Sequence, residues 1–243
     1  YSRLVVEANE NSEVTIVERF VSSADAKSLI VPVVDVRAAQ SARVTYVAIN
    51  ELGAATWQIG YQQAVGQRDS TMQMFTVALG GDYARMRAEV CLEGQGASAQ
   101  QVALYFADEN QMHDFRTLQD HAAPRTHSNL LFKGAVKDTA KSVYTGLIRI
   151  RENATKSEAF QTNRNLTLSN GAWAESVPNL EIETNDVKCS HASTVGPIDE
   201  EQRFYLESRG IQPEIAERLV VLGFFDEVLN RLPALPFIAG LRE

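Results

Sequence analysis

Cysteine and histidine are scarce in this 243-residue chain, with two of the first and four of the second. Cys91 and Cys189 stand about a hundred positions apart. That excludes a disulfide framework and points to a reducing cytoplasm, with one long-range disulfide as the alternative. Long apolar runs are missing too. No stretch approaches the roughly 20 residues that cross a bilayer, and Tyr1-Ser2-Arg3-Leu4-Val5-Val6 lacks the apolar core of a secretory leader. A soluble protein is expected, with no membrane as partner. The chain opens on Tyr1 in a strand-like run, without Met, and is expected to be a fragment lacking its N-terminal portion.

Local catalytic motifs are absent as well. Gly80-Gly81 is followed by Asp82-Tyr83, without the Gly-Lys-Ser/Thr chemistry that cradles a nucleotide, so ATP binding is not expected. There is no Gly-x-Ser-x-Gly elbow and no His-Glu-x-x-His zinc helix. A net charge of −8 repels a phosphate backbone, which excludes nucleic acid as a partner.

What the chain does have is alternation. Val44, Tyr46 and Ala48 alternate with Thr45 and Val47; Trp57, Ile59 and Tyr61 follow, then Phe75, Val77 and Leu79, and later Val102, Leu104 and Phe106. The same beat returns at Leu166 and Leu168 and at Leu180 and Ile182. Period two marks half-buried strands, and Gly80-Gly81-Asp82, Gly94-Gln95-Gly96, Asn170-Gly171 and Asn185-Asp186 supply turn residues between them. An all-β body over residues 1–196 follows, as sandwich, barrel or solenoid, because no fixed repeat motif chooses among them.

From residue 197 to residue 243 the grammar is helical. Asp199 is placed to cap a helix through Phe204 and Leu206, with Gln202 completing a capping box and Gly210 just past its end. Pro213 opens a second helix, and Gly223 is expected to divide it from a third that carries Phe224, Val228 and Leu232 up to Pro233. Three short helices cannot build a core alone, so this small helical domain should pack on the β body or on a partner.

Three of the four histidines, His113, His121 and His127, fall within fifteen residues. Their irregular spacing favours ordinary turn or strand-edge roles over a metal site. Val187-Lys188-Cys189-Ser190-His191 is sharper. In a strand, Cys189 and His191 project to one face, roughly 6.5 to 7 Å apart along the backbone, where thiolate and imidazole suit iron. Spacing leaves two readings open: a partial metal site completed by water or another chain, or a small buried thiol beside a hydrogen-bonded histidine. Cys91, among Val90 and Leu92, is expected in the core. Lys133, Lys137 and Lys141 read as a solvated face.

Four stretches carry a resemblance: Phe160-Gln161-Thr162-Asn163-Arg164-Asn165-Leu166, Pro178-Asn179-Leu180-Glu181-Ile182, Asp186 through Gly196, and Asp199 through Ile211. In order and spacing they are similar to the SufB/SufD family of iron-sulfur cluster assembly scaffolds. Lys188-Cys189-Ser190-His191 is nearer the SufD branch. The resemblance implies a right-handed parallel β-helix followed by a small α-helical domain. It also implies a non-catalytic scaffold in a cytoplasmic complex with a SufB-type sister scaffold and a SufC-type ABC ATPase. A homodimer is the alternative assembly for the isolated chain. No cofactor is then held stably; iron or a nascent cluster is transient, with His191, and less firmly Cys189, at the partner interface. Only His121-Ala122-Ala123-Pro124 is retained from the family's His-rich stretch, so nothing carries over to His113 or His127. Phe224 and Phe225 are the candidate anchors for the ATPase, since aromatic residues concentrate interface energy. A β-helical carbohydrate-active enzyme and a solenoid serving protein contact alone are the competing readings.

Overall fold

The alternation is realised as strands stacked in two parallel sheets. In the computed structural model, which describes residues 1–233, fifteen strands (β1 to β15) and two helices are seen among the described residues. One sheet runs β1 (Ser2–Ala8), β4 (Pro32–Ala38), β6 (Thr56–Gly66), β8 (Tyr83–Leu92), β10 (Met112–His121), β12 (Lys141–Ile150) and β14 (Trp173–Ile182). A short β3 (Ser28–Ile30) also pairs with β6. The other sheet runs β2 (Glu13–Val21), β5 (Arg43–Glu51), β7 (Thr71–Ala78), β9 (Ser98–Ala107), β11 (His127–Val136), β13 (Glu158–Thr167) and β15 (Lys188–Pro197). From β4 onward successive strands alternate between the sheets and every pairing is parallel, so the chain is a β-solenoid, the parallel β-helix among the three expected architectures.

The repeat lies in the backbone rather than in side chains. Asn11, Ser41, Asp69, Gly96, Arg125 and Lys156 all adopt φ of 55° to 75°, and each stands two residues before a strand of the second sheet. One left-handed corner therefore precedes six of the seven strands of that sheet, β15 excepted, and only one of the six uses glycine. Coil length drifts around it: Met112 pairs with Tyr83 and Lys141, whereas Trp57 pairs with Tyr83 and Lys141 with Trp173 at shorter and longer offsets.

Period two decides what enters the lumen. Val34, Val36, Val44, Tyr46, Met72 and Leu92 fill one end, and Tyr105, Phe115, Phe132 and Tyr144 fill the middle. On β6 the inward set is Thr56, Gln58, Gly60, Gln62 and Ala64, so Trp57 and Ile59 face outward and are exposed. Cys91 likewise corrects its expected core position. Ala88, Val90 and Leu92 take the inside of β8, which turns Cys91 to the outer face.

Of the two helices, α2 packs on the outer face of the second sheet and α1 packs on α2. Asp199 caps α1 (Glu200–Ser208) through the backbone N–H groups of Glu201 and Gln202, and Gly210 follows at φ 84°. The expected break at Gly223 does not occur, because α2 (Pro213–Leu229) runs through it. A mid-helix glycine costs about 1 kcal/mol relative to alanine. Burial of Val221, Phe225, Val228 and Leu229 against Val47, Phe75, Val102, Leu104 and Leu131 outweighs that, at about 1.5–3 kcal/mol per large side chain. The described residues thus hold two helices in place of three. Residues 234–243 of the expected helical domain lie outside the described residues. Lys133 and Lys137 are not a solvated face: they pair with Glu227 and Glu217 of α2.

Candidate functional site

Strands β14 and β15 end the two sheets, and among the described residues no strand pairs with their free edges. Register places Cys189 beside Ala159 and His191 beside Gln161, so both project from the inner face of the last coil, as their spacing predicts. Ser193 and Val195 continue that row toward solvent. Across the mouth, Leu180 and Ile182 of β14 occupy the inward positions opposite and are 40% and 43% exposed, because no further coil covers them among the described residues.

The two candidate ligands differ in environment. Cys189 is half-buried and packs against Ile148, Ile150, Ala154 and Ala159, and this burial pushes its thiol up from its ordinary value. A raised thiol is protonated at neutral pH and ligates poorly until a cation draws its proton away. His191 is exposed and its ring makes no hydrogen bond among the described residues, so its lone pairs are accessible. Beside them, Lys188 donates to Glu158 at 2.7 Å on the outer face, which holds the Glu158 carboxyl below its usual range.

Behind the mouth the lumen turns polar. Gln161 is 2% exposed and donates to the Tyr144 hydroxyl, which meets Thr117 Oγ1 at 2.9 Å. Tyr105 donates to Asn165, and Asn163 donates back to the Tyr105 hydroxyl at 3.1 Å. This buried network stands on the stretch 160–166 that carries the resemblance, yet no spacing rule marks it as a site, and Gln161 was not among the candidates read from the sequence.

The other histidines do not converge. His113 and His121 sit near opposite ends of β10, and their eight-residue separation along the strand is about 26 Å. His121 is buried with Nδ1 2.7 Å from Thr126 Oγ1 and Nε2 2.7 Å from Ser128 Oγ, so both nitrogens are satisfied within the fold. His113 is fully buried against Tyr105 and Phe115, and neither ring nitrogen has a hydrogen-bond partner. His127 is half exposed beside Glu158. No group of three or more potential metal ligands occurs among the described residues. Both cysteines are free. Cys91 lies near Asp120 and Glu93, and burial with these carboxylates pushes its thiol up to about 12.

The candidate anchors fall on two sides of α2. Phe225 is 4% exposed and belongs to the core beneath the helix. Phe224 is partly exposed, under Lys133 Nζ at 4.9 Å, and lines a groove of about 1140 Å³ with Leu166, Tyr205, Leu206, Leu219 and Val220. Phe204 and Tyr205 of α1 are 71% and 57% exposed beside it.

A β-solenoid with an open last coil and a helical pair laid along one sheet defines the class. Residues 1–224 match the family described as SUF system FeS cluster assembly, SufBD core domain, and the chain belongs to that family. It is 45% identical over 200 residues to an iron-sulfur cluster assembly SufBD family protein of Mycobacterium tuberculosis, covering 79% of this chain and 50% of that protein. It is 31% identical over 223 residues to the iron-sulfur cluster assembly protein SufD of Escherichia coli, covering 92% and 53%. To SufD of Bacillus subtilis it is 31% identical over 235 residues, covering 96% and 54%. The chain spans about half the length of these relatives.

Proposed function

We propose that this chain is the core of a non-catalytic SufD-type scaffold, acting with a SufB-type sister scaffold and a SufC-type ABC ATPase to assemble iron-sulfur clusters in the cytoplasm. The observation that carries the reading is His191, accessible on the inner face of the last coil between two free sheet edges. An open parallel edge offers unpaired N–H and C=O groups to another strand, so a sister solenoid can close the mouth by edge pairing. Iron or the nascent cluster, as cargo, would then meet His191 with ligands from the partner completing its shell. Cys189 is the weaker ligand, because a half-buried protonated thiol must first lose its proton.

Family membership and the absence of a phosphate loop in this sequence support assigning ATP hydrolysis to the partner. The exposed aromatic surface of α1 with Phe224 is assigned to ATPase docking. Co-expression with the two partner chains, affinity capture through this chain and iron and sulfide analysis under anaerobic conditions test the reading. Capture of both partners, with cluster content lost in His191→Ala, is expected. Recovery of this chain alone or as a homodimer, without cluster in the presence of both partners, overturns it.

A further inference from the structure

Gln161 holds a buried polar atom with nothing to bind. Its side chain is 2% exposed, and its amide nitrogen is committed to the Tyr144 hydroxyl. The amide is also fixed in place from across the lumen: a Cβ at Gly146 would collide with it, so only glycine on β12 leaves the room it occupies. The carbonyl oxygen Oε1 is buried and has no hydrogen-bond partner. An unmet buried acceptor costs about 1–3 kcal/mol, so such an atom in a network otherwise satisfied calls for a donor.

The adjacent donor is His191. Parallel pairing puts the two residues side by side on the same face, on strands about 4.8 Å apart. On the other flank Gln161 meets Leu130, which has no polar side chain. His191 is exposed and its ring is unbonded among the described residues, so its rotamer can turn toward the lumen at little cost.

We infer that Gln161 is a positioning residue for His191: its Oε1 accepts the ring N–H and presents the other ring nitrogen, with its lone pair, at the open mouth. Ligating histidines are commonly oriented in this way by an acceptor on their second nitrogen, which fixes the tautomer and raises the basicity of the first. Tyr144 and Thr117 in turn hold the Gln161 amide, so the orienting chain runs from the closed lumen to the last coil. The role for cargo rests on the function proposed above; the hydrogen bond itself does not.

The test separates the two. In nitrogen-15 spectra of the full chain at neutral pH, a solvent-exposed histidine ring N–H exchanges too fast to be seen, whereas a bonded one is visible. A visible His191 ring N–H is expected in the parent protein, lost in Gln161→Leu and restored in Gln161→Glu, whose carboxylate also accepts. Absence of the resonance in the parent overturns the inference, as does its persistence in folded Gln161→Leu. The parent spectrum decides even if that variant fails to fold. With the partner chains present, Gln161→Leu is expected to lower cluster content about tenfold, in the range seen for orienting residues. If His191→Ala keeps full cluster content while the parent's ring N–H is protected, the positioning stands and the cargo role of His191 falls.

Discussion

Lys133, only 6% exposed on the outer face of β11, meets Glu227 of α2 at 2.8 Å, and the same ammonium donates to the Phe224 carbonyl at 2.9 Å. Four residues further on, just past the end of β11, Lys137 meets Glu217, ten residues earlier in α2. The pairs run in opposite chain directions, so the helix lies antiparallel to the strand, pinned at two points over the apolar contacts of Phe225 and Val228. The Lys133 ammonium holds the Glu227 carboxyl below its usual range.

The two ends of the Lys133–Glu227 pair are not equivalent. Glu227 is 44% exposed and water can replace its partner, whereas Lys133 is buried. Glu227→Ala is expected to cost about 2 kcal/mol, because it leaves the buried ammonium with the Phe224 carbonyl and ring but no counter-charge. Lys133→Met should cost about 1 kcal/mol or less, since the pair is removed and apolar contact kept. Urea unfolding of both variants checks this. Equal losses would show that the lysine is not desolvated.

Acid should weaken the fold through two histidines. Burial holds His113 and His121 down to about 4. Unfolded, both take up protons near 6.5. Between those values the unfolded chain binds more protons, so their stabilisation is complete above pH 6.5 and declines as pH falls toward 4, by about 1.4 kcal/mol per pH unit for each. His113→Leu removes one share and one pair of unmet nitrogens. Between pH 7 and pH 5 it is expected to lose about 2 kcal/mol less than the parent, and an identical pH profile would exclude His113 as a source.

His191→Ala and His113→Ala should fail differently. Exposed and tied to the fold only through Gln161, His191 can be removed with a change of about 1 kcal/mol, the net worth of one hydrogen bond, while cluster content falls in the assembled complex. His113→Ala opens a cavity beside Tyr105 and Phe115 and should cost about 2–4 kcal/mol. Any loss of clusters there should track the loss of folded protein. Thermal melts paired with iron analysis distinguish the two, and a His191→Ala protein that melts early but keeps its clusters would reverse the assignment.

Docking of the ATPase is expected to depend on Phe224 and not to be testable at Phe225. Phe225→Ala removes a core side chain and should cost about 3–5 kcal/mol of stability. Phe224→Ala should fold and weaken ATPase binding by about 2 kcal/mol if it is a hot spot. Calorimetric titration with circular dichroism on the same samples measures both, and unchanged affinity for a folded Phe224→Ala moves the docking surface to Phe204 and Tyr205.

Alternation along the chain announced strands, but not which side of each faced inward. On β6 the large apolar set Trp57, Ile59 and Tyr61 looks outward, while Gln58 and Gln62 occupy the lumen, because a polar network can fill a solenoid as well as an apolar one. The solenoid itself was hidden for a related reason. Its recurring element is a left-handed corner, and Ser41, Arg125 and Lys156 adopt that conformation without belonging to the residue types that usually signal it. Asn11, Asp69 and Gly96 alone were legible as turn formers. At the site, period two was enough to place Cys189 and His191 on one face. It said nothing of Gln161, whose meaning depends on Tyr144 and Gly146 from the opposite sheet.

The free edges of β14 and β15 also set a gradient of opening. In a stack where each coil touches only its neighbours, stability is close to a sum of coil and interface terms, and the last coil has one interface where an inner coil has two. Fraying should therefore begin at the two end coils, one of which bears His191, and reach the Tyr105–Asn165 layer later. A partner that caps the mouth would supply the missing interface and raise the protection of β15 most of all. The lumen and the cap would then grip that strand from both sides, Gln161 from within and the partner from without.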